Sequence, residues 1–81
     1  QALEGKRGKD YKTLLQEYVQ RDGDKHIVYR LLSESGPDHA KTFHMTVEID
    51  GITYEAGSGK SKKIAEQHAA QLTLEKLMAH K

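Results

Sequence analysis

The residues of this sequence best suited to chemistry lie in the segment GSGKSKK at 57–63, which could hold a phosphate group. Its middle, Gly59-Lys60-Ser61, matches the end of a nucleotide-binding P-loop, whose full spacing is Gly-x-x-x-x-Gly-Lys-Ser/Thr. Tyr54 occupies the position of the first glycine in that pattern. The spacing therefore argues against a P-loop, and we expect neither a bound nucleotide nor its hydrolysis.

The same segment has a second way to bind phosphate, at the start of a helix. Ser61 can cap a helix that we predict from about Lys62 to Met78. The first turn of a helix exposes unpaired N–H groups and the positive end of the helix dipole, which attract anions. Gly57 and Gly59 leave room for a ligand and are expected to end the preceding strand. Positive charge comes from Lys60, Lys62 and Lys63. The alternative is an ordinary solvated, lysine-rich helix end.

Two helices are predicted from apolar residues at helical spacing. The first begins after the capping residue Asp10 and runs to about Asp22, where Gly23 ends it. Its predicted inner stripe consists of Tyr11, Leu14, Leu15, Tyr18 and Val19. The second helix has a predicted inner side of Ala65, Ala69, Leu72, Leu74 and Leu77. We expect His68, beside that side, to be a partly buried core residue rather than a ligand.

Three segments between the helices have the composition of strands. Residues 27–34 are rich in β-branched and aromatic side chains, and residues 43–49 alternate between apolar and polar. The turn Asp50-Gly51 leads into a third strand, whose inner face is predicted to hold Ile52, Tyr54 and Ala56. This order predicts an α+β fold, α-β-β-β-α, with a three-stranded antiparallel sheet and both helices packed on one face.

The composition is that of one small domain preceded by a linker. The chain has 81 residues, 36% of them hydrophobic and 31% charged. We assign residues 10–81 to the domain and residues 1–9, polar and glycine-containing, to a flexible interdomain linker from a larger protein. There is no cysteine, which suits a reducing compartment, and no apolar run is long enough to cross a membrane.

Catalytic and metal-binding patterns do not emerge from the sequence. The five histidines form no ligand pair at useful spacing, and there is no cysteine to complete a site. No Ser-His-acid set or paired carboxylate motif is recognisable. We therefore expect these residues to carry no catalytic site, metal or cofactor of their own.

Two further polar surfaces accompany the predicted anion site. One face of the first helix presents hydrogen-bonding side chains with a single charge among them, and it consists of Thr13, Gln16, Glu17 and Gln20. The loop at residues 36–39 offers an exposed histidine, His39, after the rigid Pro37. Such surfaces are often merely solvated. Three of them on one small domain favour a long, regular ligand, such as duplex RNA with its hydroxyl-lined minor grooves and phosphate-walled major groove.

The run from Asp10 to about Leu77 resembles the double-stranded RNA-binding domain. The resemblance is carried by GPxHxxxF, GxGxSKK and AEQxAA in this order. Within that family the chain is most similar to the C-terminal domain of bacterial ribonuclease III, notably in LQEYVQ and GPDH. Two positions depart from the family pattern: Ile64 stands where a charged residue is frequent, and Thr73 where alanine is frequent. We expect Thr73 to loosen helix packing slightly.

The resemblance implies a role for each polar surface. Thr13, Gln16 and Glu17 match first-helix residues that face one minor groove, and Gln20 extends the same stripe. Pro37 and His39 match the loop that enters the next minor groove. Contacts to the phosphates between these grooves are implied for Lys60, Ser61, Lys62 and Lys63.

The resemblance also implies a parent protein. A bacterial ribonuclease III would be a cytoplasmic endoribonuclease whose separate catalytic domain binds magnesium and forms a homodimer; no signature of that domain occurs here. The alternative function is a protein-interaction (dimerisation) module of the same fold. Such modules typically lose the lysines at the start of the second helix, which this sequence keeps.

Overall fold

The computed structural model describes residues 10–21 and 23–79. The predicted linker at residues 1–9 lies outside the described residues. The elements follow the predicted order, with one short 3₁₀ turn added in the loop between the first two strands. They are α1 (Tyr11–Gln20), β1 (Ile27–Ser35), the 3₁₀ turn (Asp38–Ala40), β2 (Thr42–Ile49), β3 (Ile52–Gly59) and α2 (Lys62–Ala79).

The three strands form one antiparallel sheet with β2 in the middle. Ile49 of β2 pairs with Ile27 of β1 on one side and with Ile52 of β3 on the other. Helix α2 packs on β2 and β3, and α1 packs against α2. The buried core therefore lies between the helices and one face of the sheet, and it includes Leu15, Val19, Val47, Ile49, Ala69 and Ala70. The predicted fold is confirmed.

Helix α1 starts at the predicted cap and ends slightly early. The Asp10 carboxylate accepts the Thr13 N–H at 3.4 Å, which satisfies one of the unpaired donors of the first turn. The helix ends at Gln20, and the N–H of Gly23, whose φ is +120°, donates to the Gln20 carbonyl at 3.2 Å. Leu14, predicted to lie in the inner stripe, is 39% exposed, because it lies at the edge of the seam between α1 and α2.

Strand β3 differs from the prediction because it contains a bulge. Thr46 pairs with Ala56, whereas Glu48 pairs with Thr53, so two residues of β3 oppose Val47 alone. Because of this extra residue, the side chains after the bulge point to the opposite face of the sheet from the one that simple alternation predicts. Ala56, predicted to face inward, is therefore exposed, and Gly57 is buried. The Thr46 hydroxyl, buried on the other face, donates towards the carbonyls of Tyr54 and Glu55, which accommodates the bulge.

Gly57 and Gly59 were predicted to end β3. The strand does end at Gly59, but it runs through Gly57, so the prediction is wrong for that residue. The two glycines pair with Met45 and Phe43 of β2. A Cβ atom on Gly57 would lie 2.2 Å from the Ala69 nitrogen. These glycines therefore let the backbone of α2 approach the sheet closely.

The buried stripe of α2 consists of small residues, not of leucines. Ala65, Ala69, Ala70 and Thr73 are fully buried, whereas Leu72, Leu74 and Leu77 are only partly buried. Thr73 extends the alanine stripe by one turn, and its hydroxyl has no hydrogen-bond partner. Close approach to the glycines of β3 explains why small side chains lie here.

His68 was predicted to be a partly buried core residue, and this is wrong because its side chain is exposed. Its Nδ1 lies 3.1 Å from the Ser58 nitrogen and 3.2 Å from the Ser58 oxygen. His68 therefore joins the surface of α2 to the end of β3, next to the lysine-rich segment.

Candidate nucleic-acid interface

The start of α2 has the geometry of an anion site. The Ser61 hydroxyl accepts the Ile64 N–H at 3.1 Å, and the Ser61 carbonyl accepts the Ala65 N–H at 2.9 Å. Ser61 is thus the predicted cap, and its hydroxyl hydrogen can still be donated to a ligand. The side chains of Lys60, Lys62 and Lys63 are exposed around this turn.

The lysines at this turn differ from most other cations of the domain in having no acidic partner. In the described part of the chain, four cations form salt bridges: Lys12 with Glu66, Arg30 with Glu48, Lys41 with Glu34, and Lys76 with Glu55. None of these pairs includes a lysine of residues 60–63. Since no acid of the described residues lies within salt-bridge distance of these lysines, the charge at the start of α2 remains available to an external anion.

The four polar residues predicted on α1 are all exposed, on one ridge of the helix. This α1 ridge consists of Thr13, Gln16, Glu17 and Gln20. The Thr13 hydroxyl already donates to Asp10 at 2.9 Å, so it helps to cap the helix and offers a ligand mainly its acceptor lone pair. Hydrogen bonds from Gln67 and Thr13 to the Asp10 carboxylate hold the pKa of that carboxyl below its usual value.

The loop between β1 and β2 is held in a tight turn that displays His39. The Ala40 N–H donates to the Pro37 carbonyl at 2.9 Å, so that carbonyl is partly used within the loop. Gly36 has φ +93°, and a Cβ atom on it would lie 2.6 Å from the Ala40 oxygen. His39 is exposed within the 3₁₀ turn. The loop thus presents the imidazole on a defined backbone.

The sheet places this loop and the start of α2 at the same end. Phe43, just after the loop, pairs with Glu34 of β1 and with Gly59 of β3. The loop and the lysine-rich turn therefore flank one end of the three strands. The α1 ridge is tied to α2 separately, through a contact that the sequence patterns did not reveal.

That contact is made by Gln67, whose importance we did not predict. Its Oε1 accepts the Tyr11 N–H at 2.7 Å, and its Nε2 donates to the Asp10 carboxylate at 2.8 Å. Beside it, the Lys12 ammonium donates to Glu66 at 2.6 Å. Gln67 lies within the AEQxAA segment, but its partners are distant in sequence. Its position therefore gave no signal of this role.

Other kinds of site have little support in the described residues. Among residues 10–21 and 23–79, no group of three histidine, aspartate or glutamate side chains could hold a metal ion. None of the helices within these ranges is long and apolar enough to span a membrane. Burial and the nearby carboxylates of Glu66 and Asp10 raise the pKa of Tyr29 to about 12, so this phenol stays protonated at neutral pH.

Comparison with known proteins gives a consistent result. Residues 11–77 match the family described as the double-stranded RNA binding motif. A solved structure of Arabidopsis HYL1, reported for its implications for miRNA processing, superposes with a TM-score of 0.72 at 36% identity. That alignment covers 86% of this chain and 99% of the HYL1 chain.

Curated bacterial relatives are more similar in sequence. Ribonuclease 3 of Streptococcus gordonii is 54% identical over 67 residues, which is 83% of this chain and 29% of that protein. Ribonuclease 3 of Streptococcus mutans is 56% identical over 68 residues, which is 84% of this chain and 29% of that protein. The chain thus spans less than a third of the length of these relatives.

Proposed function

Because this chain belongs to the double-stranded RNA binding motif family, we propose that it binds duplex RNA through the α1 ridge, the His39 loop and the start of α2. The observation that carries this proposal is the capped start of α2, with exposed lysines that no acid of the described residues neutralises. Protein-interaction modules of the same fold typically lose these lysines, whereas this chain keeps three of them.

The chemistry of each surface suits a different part of the duplex. Lysines at a helix start bind phosphates by charge, with free N–H groups and the helix dipole adding to the attraction. The α1 ridge and His39 offer hydrogen-bond donors and acceptors and no lysine or arginine, which suits the 2′-hydroxyls and base edges of the wide RNA minor groove. Recognition would therefore follow duplex shape, over about 16 base pairs.

We further propose that the parent protein is a bacterial ribonuclease III in which this domain recognises the substrate. The support is the sequence identity to two streptococcal ribonuclease 3 proteins, of which this chain covers 29%. Cleavage, magnesium binding and homodimerisation would belong to the part of such a protein outside this chain. A cytoplasmic location suits both RNA processing and a chain without cysteine.

The proposal is tested by titrating the 81-residue chain with an RNA duplex and a DNA duplex of equal length and sequence. We expect clear preference for RNA, since only RNA offers 2′-hydroxyls. Equal affinity for both duplexes would reduce binding to general electrostatics and contradict the proposal.

A matched set of variants tests the start of α2. Lys62→Ala and Lys63→Ala should each weaken binding and make its salt dependence shallower, by a log–log slope of about 1 per lost phosphate contact. Lys76→Ala removes the same charge from a lysine that is paired with Glu55, and we expect little effect. Equal losses in all three variants would contradict a specific phosphate site.

A further inference from the structure

Helix α1 separates two concave surfaces of opposite character. On one side, between α1 and β1, lies an open polar cavity of about 290 Å³. Gln16 and Gln20 of the α1 ridge line it, together with Lys25 and His26 from the loop that follows α1. No acidic residue lines this cavity.

The other side of α1 is an apolar groove. It is lined by Leu14, Tyr18, Leu74 and Met78, with the charged Glu17 and Arg21. The opposite charges of Glu17 and Arg21 offset each other in this groove, and a phosphodiester would lose hydration against the apolar side chains. If the α1 ridge enters a minor groove, the nearby RNA strand is therefore better accommodated on the side of the polar cavity.

Lys25 is well placed to supply charge at that cavity. The next residue, His26, is held by two hydrogen bonds to Asp50. The His26 N–H donates to the Asp50 carboxylate, and the Asp50 N–H donates to the His26 carbonyl, each at 2.9 Å. Lys25 also borders a smaller cavity beside Asp50. Within the described ranges, however, no acid lies within salt-bridge distance of its ammonium group.

The other lysine of the cavity has a different role. The Lys12 ammonium contacts Glu66 at 2.6 Å and lies 4.8 Å from the centre of the Tyr29 ring. Lys12 is thus already neutralised inside the fold, which leaves Lys25 as the cation of this cavity available to a ligand.

We propose that this cavity is an additional RNA-binding site, which takes the ribose-phosphate backbone beside the minor groove entered by α1. Lys25 contacts a phosphate, and Gln16 and Gln20 bond to neighbouring ribose hydroxyls. The inference rests on the proposed duplex-RNA function and extends the interface to the loop between α1 and β1. It also assigns the two flanks of the ridge different roles, because Glu17 faces the apolar groove.

The experiment compares Lys25→Ala, Lys25→Gln, Lys25→Arg and the control Lys76→Ala in the full chain, using one RNA duplex at several salt concentrations. Lys25→Gln keeps most of the aliphatic stem, so it remains informative if Lys25→Ala disturbs folding. We expect about tenfold weaker binding for the alanine and glutamine variants. The salt slope should fall by about 1. Lys25→Arg should retain affinity, because it keeps the charge and the donors.

The outcomes separate this site from the rest of the interface. Unchanged affinity in Lys25→Gln, with strong loss in Lys62→Ala, would overturn the cavity site and leave the proposed function intact. Equal weakening by Lys25→Gln and Lys76→Ala would also overturn it. Loss of any positive charge, at the cavity or elsewhere, would then weaken RNA binding equally. Failure of the unmodified chain to prefer RNA over DNA would overturn the proposed function itself.

Discussion

The side-chain oxygen of Gln67 accepts the backbone N–H of Tyr11 at 2.7 Å, so a residue of α2 caps the start of α1. The same amide donates to the Asp10 carboxylate at 2.8 Å. One side chain therefore fixes the helix that carries the α1 ridge against the helix that carries the lysines. The distance between two proposed RNA contacts depends on this connection.

Removing the Gln67 side chain should destabilise the domain. Gln67→Ala leaves the Tyr11 N–H without its acceptor, and we expect a loss of about 1 kcal/mol in the free energy of unfolding. Urea denaturation followed by circular dichroism measures this loss. Gln71→Ala is the matched control, because Gln71 bonds only to Glu75 on its own helix. Equal stability of the two variants would show that the interhelical bond contributes nothing particular.

The pKa of Asp10 reports on the same connection. Hydrogen bonds from Gln67 and then Thr13 lower this pKa, so the stability they provide is present above the unfolded-state pKa, about 3.9. It is lost as pH falls through the lower pKa of the folded state. In Gln67→Ala we expect the Asp10 pKa to rise towards its usual value in an NMR titration. Thr13→Val should raise it less; the reverse order would contradict the dominance of Gln67.

The close approach of α2 to β3 makes Gly57 sensitive to any side chain. In Gly57→Ala the new methyl group would lie 2.2 Å from the Ala69 nitrogen, and the helix backbone cannot rotate away as a side chain could. We expect about 1–3 kcal/mol of destabilisation in a thermal or urea unfolding experiment. Ser58→Ala, one residue along the strand, should change stability by less than about 0.5 kcal/mol. Similar stabilities for the two variants would show that α2 can shift freely.

Gly57 also illustrates which features could not be predicted from the sequence, namely those that depend on packing between distant segments. The caps at Asp10 and Ser61, the periodicity of α1 and the Asp50-Gly51 turn depend on residues close in the chain, and these features were predicted. The continuation of β3 through Gly57 depends on close packing against α2, a helix that follows later in the chain. The bulge opposite Val47 shifted the inner face of β3 in a way that simple alternation cannot show.

In the proposed interface, too, local features could be predicted from the sequence, whereas contacts between distant segments could not. Exposure of the α1 ridge and of the lysines near Ser61 follows from local helical geometry, and the structure places these side chains as expected. The contact of Gln67 with Asp10 and Tyr11, and the position of Lys25 beside the α1 ridge, arise from packing between distant segments. The contacts of these residues with RNA remain predictions for the binding experiments.

The buried hydroxyl of Thr73 should lower the free energy of unfolding of the domain. This hydroxyl is buried without a partner, so Thr73→Val, which keeps the shape and replaces the hydroxyl with a methyl group, should stabilise the domain by about 1 kcal/mol. Denaturant unfolding measures the gain. Thr53→Val, at an exposed position of β3, should give much less. A destabilised Thr73→Val would show that the hydroxyl has a partner in solution, such as a water molecule.

His39 separates RNA binding from folding. Its side chain is exposed in the 3₁₀ turn, and the turn itself is held by the bond from the Ala40 N–H to the Pro37 carbonyl. His39→Ala should therefore change the unfolding free energy by less than about 0.5 kcal/mol. Loss of one hydrogen bond in the second minor groove should weaken RNA binding by about 1 kcal/mol, or roughly fivefold. Unlike the lysine variants, it should leave the salt slope unchanged, because no phosphate contact is lost. Unchanged RNA affinity in a stable His39→Ala variant would show that His39 does not contact RNA. Loss of the cooperative thermal transition would show instead that His39 is needed for folding.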